Sequence, residues 1–206
     1  FISDSLSMAT HWYYNRDNIY KDFGKDGITK YENAKHPHPE AFMIGEKYLP
    51  NIEMSKELNR NVDIIRQKHR KFYNTTLPND LNEQKIKKTT TESEHGNSVA
   101  DKQERYHYHH DLKAGDNTLS AHLCRLLLRD IAKQLSSTKR FKDKLFAQSF
   151  IDYMTTNENE KRTDNDPYLE IYLRRFFENY SKGNDILNCA ANQQEIWSIG
   201  SHGGII

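Results

Sequence analysis

The most regular hydrophobic pattern lies in the second half of the chain. Leu119, Leu123, Leu126, Leu127, Ile131 and Leu135 recur at helical spacing, one broad apolar stripe that predicts a helix over 118–135. Asp116 or Thr118 is placed to cap it. Past a polar turn at 136–139, Phe141, Leu145, Phe146, Phe150, Tyr153 and Met154 form a second stripe. A third helix is bracketed by Asp166 as N-cap, Pro167 at the first helical position and Gly183 at the end. Its buried face would be Leu169, Tyr172, Leu173, Phe176, Phe177 and Tyr180. Nearer the N-terminus, residues 40–48 and 61–72 carry weaker helical periodicity, and Phe23-Gly24-Lys25-Asp26-Gly27 reads as a turn. No alternating run is long enough for a strand, so the expected fold class is all-α.

Between the two halves, residues 79–104 contain only Leu81, Ile86, Val99 and Ala100 as apolar side chains. Such a segment cannot bury enough area to offset its ordering entropy and reads as a disordered insertion in one domain spanning 1–206. Composition adds that the core is thin: with Gly counted in place of Tyr, the apolar share is roughly a third against a typical ~45–50%. Thirty Lys and Arg against 29 Asp and Glu leave a formal charge of +1, with no net pull toward nucleic acid or anionic membrane. No apolar run approaches membrane-spanning length, and no leader is evident at the N-terminus. Cys124 and Cys189 stand apart without a CxxC pair, which favours reduced thiols and a cytoplasmic location. Phe1 at the start and the Gly-rich stretch before Ile206 read as cuts through a longer protein.

Candidate chemistry centres on Ala114-Gly115-Asp116-Asn117-Thr118, at the start of the first strong helix. A helix N-terminus offers free amides and partial positive charge, while Asp116, Asn117 and Thr118 add the oxygen ligands that a hard cation such as Mg²⁺ requires. The same residues also suit a plain helix cap. Just upstream, Tyr106-His107-Tyr108-His109-His110 is either a soft-metal cluster or a half-buried extended segment. His11, Trp12, Tyr13 and Tyr14 can stack against a nucleotide base or pack in the core. His36-Pro37-His38-Pro39 reads as a rigid extended link. Neither a GxSxG elbow, a P-loop nor a GxGxxG fingerprint occurs.

Taken in order, Ser3-Asp4-Ser5-Leu6-Ser7-Met8-Ala9-Thr10-His11-Trp12-Tyr13-Tyr14, Tyr106-His107-Tyr108-His109 and Ala114-Gly115-Asp116-Asn117-Thr118-Leu119 resemble the ADP-ribosylglycohydrolase family, nearest its branch of J-type lens crystallins. Tyr168-Leu169-Glu170, Arg174-Arg175-Phe176-Phe177, Asn188-Cys189-Ala190 and Trp197-Ser198-Ile199-Gly200 continue that order. The resemblance implies an all-α orthogonal bundle with a dinuclear Mg²⁺ centre that hydrolyses the N- or O-glycosidic link between ADP-ribose and a protein side chain or small molecule. The alternative is an inactive crystallin-like or ADP-ribose-binding relative, or a truncated gene product. By the resemblance, Asp116 is the catalytic candidate, Asp116, Asn117 and Thr118 are the metal candidates, and His11 and Trp12 line the substrate pocket. Of the family's TDDT metal motif the match Gly115-Asp116-Asn117-Thr118 keeps the first Asp and the last Thr, with Asp4 as a second carboxylate. His11 stands where the family has a metal-serving Glu, and the family's second metal motif would lie beyond Gly200.

Overall fold

The computed structural model describes residues 1–40, 51–62, 107–156, 166 and 168–190. Among them every regular element is helical: α1 (Ile2–Ser7), α2 (Arg16–Phe23), α3 (Ile52–Glu57), α4 (Leu119–Thr138), α5 (Asp143–Thr155) and α6 (Ile171–Ser181), with 3₁₀ turns at Met8–Thr10 and Ile186–Asn188. The all-α expectation holds there. Helix candidate 40–48 lies outside the described residues apart from its first position. Of 61–72 only Asn61 and Val62 are described, and they are not helical. The insertion at 79–104 lies outside as well.

One core joins α3, α4, α5 and α6. Ile52, Val62, Leu119, Leu123, Phe146, Phe150, Ile151, Met154, Leu169, Leu173 and Phe177 are buried together, and Leu126, Leu127, Phe141, Tyr153, Tyr172, Phe176 and Tyr180 pack against them. Each fully buried large apolar side chain contributes roughly 1.5–3 kcal/mol relative to exposure. Two positions depart from the expected stripes. Leu135 and Leu145 are about half exposed, and Ile151 rather than Leu145 completes the inner face of α5.

The ends of the helices have local causes. Asn15 accepts from the Asp17 amide at 2.9 Å to start α2, and Gly24, at φ 95°, ends it. The 23–27 turn closes with Gly27 N–H donating to Gly24 at 2.9 Å. Asn51 starts α3 by accepting from Met54 N–H at 3.0 Å, and its own amide donates to Ser181 Oγ at 2.8 Å, tying α3 to α6. Helix α4 continues three residues beyond the predicted end, to Lys139 in the left-handed region, where buried Gln134 accepts from Lys142 N–H at 2.7 Å.

Helix α6 begins at Ile171 with Glu170 as N-cap, not at Asp166, so the expected cap is corrected. Asp166 is drawn away by stronger partners: its carboxylate accepts from the Leu119 amide at the start of α4 and from His109. Gly183 ends the helix as expected, at φ 94°, with its amide donating to Tyr180 at 3.1 Å.

Candidate functional site

The N-terminus of α4 is closed by two carboxylates distant in sequence. Asp4, on α1, accepts from Thr118 N–H at 2.8 Å through Oδ2 and from the Thr118 hydroxyl at 2.7 Å through Oδ1. Asp166 accepts from Leu119 N–H at 2.8 Å through Oδ2. Carboxylates belong here electrostatically, since the unpaired amides and the aligned peptide dipoles make the helix N-terminus positive. Thr118 is therefore the N-cap by backbone position, while the capping oxygens come from Asp4 and Asp166.

The three residues at the start of α4 do not act as one group. Asn117 turns its amide nitrogen toward Asp4 Oδ2 at 3.0 Å, Ser5 Oγ at 2.6 Å and the Phe1 carbonyl at 2.7 Å. Its oxygen faces Arg125 Nη2 at 3.4 Å. Asp116 turns back on its own loop, accepting from Lys113 N–H at 2.9 Å. Gly115, at φ 94°, allows that turn.

Asp166 opens a second line of contacts. Its Oδ1 accepts from His109 Nδ1 at 2.9 Å and from Tyr168 N–H at 3.1 Å. His109 Nε2 lies 3.0 Å from His11 Nδ1, and His11 Nε2 lies 3.2 Å from Ser7 Oγ. Asp166 and His109 are buried; Ser7 and His11 are half-buried. Burial, and next the neighbouring His109, lower the His11 pKa to about 4. Burial, and then the surrounding histidines, lower that of His107 to about 2.

The aromatic residues form the wall behind this line. The Trp12 ring sits 4.6 Å from Tyr108, 4.8 Å from Tyr168 and 4.9 Å from His109, centre to centre. Trp12 takes φ 63°, a left-handed conformation that costs roughly 1–2 kcal/mol for a non-glycine residue. Tyr13 turns the other way, donating its hydroxyl to Asp22 at 2.6 Å, and Tyr14 is exposed. The segment 107–111 is a turn rather than the extended stretch considered as one alternative, with His110 N–H donating to the His107 carbonyl at 3.0 Å. His36-Pro37 is a cis peptide, and His38 is buried, donating from Nε2 to the His11 carbonyl at 3.2 Å. Cys124 and Cys189 are free thiols.

Among the predicted site residues, Asn117 and Thr118 meet Asp4; His11 and Trp12 meet His109; Asp116 joins neither set. Ser7, His109 and Asp166 were not among the predicted site residues. The only signal for them was the His-rich run and an Asp before Pro167, and neither pattern names its partner. Among the described residues no group of three or more His, Cys, Asp and Glu is arranged to hold a metal ion, and no helix is long and apolar enough to cross a membrane. The cleft lined by Ile52, Ser55, Lys56, Asn59, Arg60 and Val62 shares no residue with this cluster. Compared with protein-family models, curated proteins and solved structures, the chain matches none.

Proposed function

We propose that this chain acts in the manner of the ADP-ribosylglycohydrolases, on ADP-ribose joined through an N- or O-glycosidic link to a protein side chain or small molecule, the orthogonal helix bundle of that family being the fold that goes with this reading. One observation carries it. The segments that bear the resemblance, far apart in sequence, meet at the N-terminus of α4: Asp4 with Thr118, His11 with His109, and Asp166, next to 168–170, with Leu119. Convergence of those segments is what a shared site would require.

The Mg²⁺ that goes with this chemistry does not suit the donors as they are arranged. A hard cation needs converging oxygen lone pairs. Here the carboxylate of Asp4 already accepts three hydrogen bonds, and Asn117 directs N–H groups, not its oxygen, into the cluster. The Arg125 guanidinium stands against that oxygen, and Asp116 faces its own loop. This mismatch favours a second reading, a crystallin-like relative that binds ADP-ribose or serves a structural role without hydrolysing the link.

Calorimetry with ADP-ribose, with and without Mg²⁺, separates the readings when paired with an assay for ADP-ribose release from a modified protein. Mg²⁺-dependent release that is lost in Asp116→Ala supports the hydrolase. Binding without Mg²⁺ and without release supports the non-catalytic relative. Absence of both heat and release at millimolar ligand overturns the ADP-ribose assignment.

A further inference from the structure

Ser7, His11, His109 and Asp166 form a single hydrogen-bonded file, and its proton positions follow from one end. Asp166 Oδ1 lies 2.9 Å from His109 Nδ1 while also accepting from Tyr168 N–H. An ionised carboxylate only accepts, so His109 Nδ1 carries the proton and, in the neutral ring, Nε2 carries the lone pair. His11 Nδ1, 3.0 Å away, must then donate, which leaves the lone pair of His11 Nε2 facing Ser7 Oγ at 3.2 Å. The other acceptor near that hydroxyl, the Asp4 carbonyl, is farther away at 3.4 Å.

We propose that Ser7 is a nucleophile served by His11 as general base, with His109 and Asp166 as positioning residues, and that this site takes small carboxylic esters and comparable electrophilic acyl donors. The arrangement is the serine–histidine–carboxylate logic with one more imidazole inserted. The absence of a GxSxG elbow does not bear on it, because such sites are recognised by geometry rather than by sequence order.

In the reaction, Ser7 Oγ attacks the ester carbonyl and its proton passes to His11 Nε2. The tetrahedral adduct collapses, the alkoxide leaves with that proton as the alcohol, and an acyl-Ser7 remains. Water, deprotonated by the same nitrogen, then releases the acid and restores the hydroxyl. No oxidant, metal or cofactor enters the balance. The second imidazole has a specific use. His11 can pass its Nδ1 proton to His109 Nε2, which moves the positive charge next to the buried carboxylate of Asp166. Burial keeps His11 neutral well below neutral pH but also makes it a weak base. Slow turnover is therefore expected, and acylation by a reactive probe is the more sensitive readout.

The proposal does not depend on the ADP-ribose reading. Its test is incubation of the full chain with a fluorophosphonate probe, with peptide mapping of the adduct, and with p-nitrophenyl acetate. The expected result is one adduct per chain, on Ser7, that is absent in Ser7→Ala and in urea-unfolded protein. His109→Gln should slow labelling at least tenfold and shift its pH dependence upward, since His109 is one of the groups that lower the His11 pKa, while the melting transition stays cooperative. Ser7→Cys provides a second variant, whose alkylation by iodoacetamide should exceed that of Cys124 at least tenfold at pH 7. Labelling of Ser7 no faster than that of exposed Ser136 and Ser137, together with ordinary Ser7→Cys reactivity, would overturn it.

Discussion

The Asp4 and Thr118 side chains, 114 positions apart, meet with Oδ1 2.7 Å from the hydroxyl, while Asp4 Oδ2 accepts the Thr118 amide at 2.8 Å. Through this pair α1, which buries only Ser5, is held to the principal helix of the core. The contact is polar, directional and charge-assisted.

Asp4→Ala leaves the Thr118 amide and hydroxyl without their acceptor and removes negative charge from the start of α4. The expected loss is about 2 kcal/mol, in the range of a lost cap or a charge-assisted hydrogen bond. Urea unfolding should show a lower midpoint with an unchanged slope. In a double-mutant cycle with Asn117→Ala, which shares the Asp4 carboxylate, the two costs should fall short of additivity. Strict additivity would mean that the cluster does not act as a network.

The buried histidines set a pH response. His11 is lowered to about 4 and His107 to about 2, both chiefly by burial. The unfolded chain protonates these rings near 6.5 and the folded chain does not until far lower pH. Between those limits the unfolded state binds more protons, so stability is full above about 6.5 and falls as the pH is lowered toward 4. A loss of a few kcal/mol by pH 4 is expected, read from urea midpoints at pH 7, 5.5 and 4.5. A midpoint constant across that interval would show that the rings are not held neutral.

Gly183 ends α6 at φ 94°, and a Cβ there would stand 3.1 Å from Leu58 Cδ1. Gly183→Ala combines left-handed strain with this contact and should cost about 1–2 kcal/mol. For a chain of this size that corresponds to a melting temperature lower by roughly 2–8 °C. Gly24→Ala, at φ 95° with nothing near the added carbon, carries the strain alone and should be milder. Equal effects would remove Leu58 from the explanation.

Trp12→Ala removes the ring that packs between Tyr108, Tyr168 and His109. Deleting a large aromatic from such a cluster costs about 3–5 kcal/mol, so this variant should unfold at a much lower urea concentration. Trp12→Phe should retain most of the stability. If both variants melt like the parent protein, the aromatic wall contributes nothing to the fold.

Much of the helical core was legible from periodicity alone. Leu119, Leu123, Leu173 and Phe177 stand at helical spacing and are buried as that spacing implies, because a helix repeats every 3.6 residues whatever surrounds it. The same rule misplaced Leu135 and Leu145, since periodicity says which face is apolar and not how far the partner helices extend. It missed α2 altogether, whose residues bury nothing and whose limits come from Asn15 and Gly24.

Local order in the sequence therefore determined the all-helical character of the described residues, three of the main helices, the 23–27 turn and the end of α6 at Gly183, all set by neighbours a few residues apart. The tertiary structure alone decided that Asp166 serves α4 and His109 instead of starting α6, that Asp116 parts from Asn117 and Thr118, and that Ser7 and His11 come into line with a buried carboxylate. The reason is physical: hydrogen bonds between groups 47 to 114 positions apart depend on how the helices pack, and no short stretch of sequence carries that information.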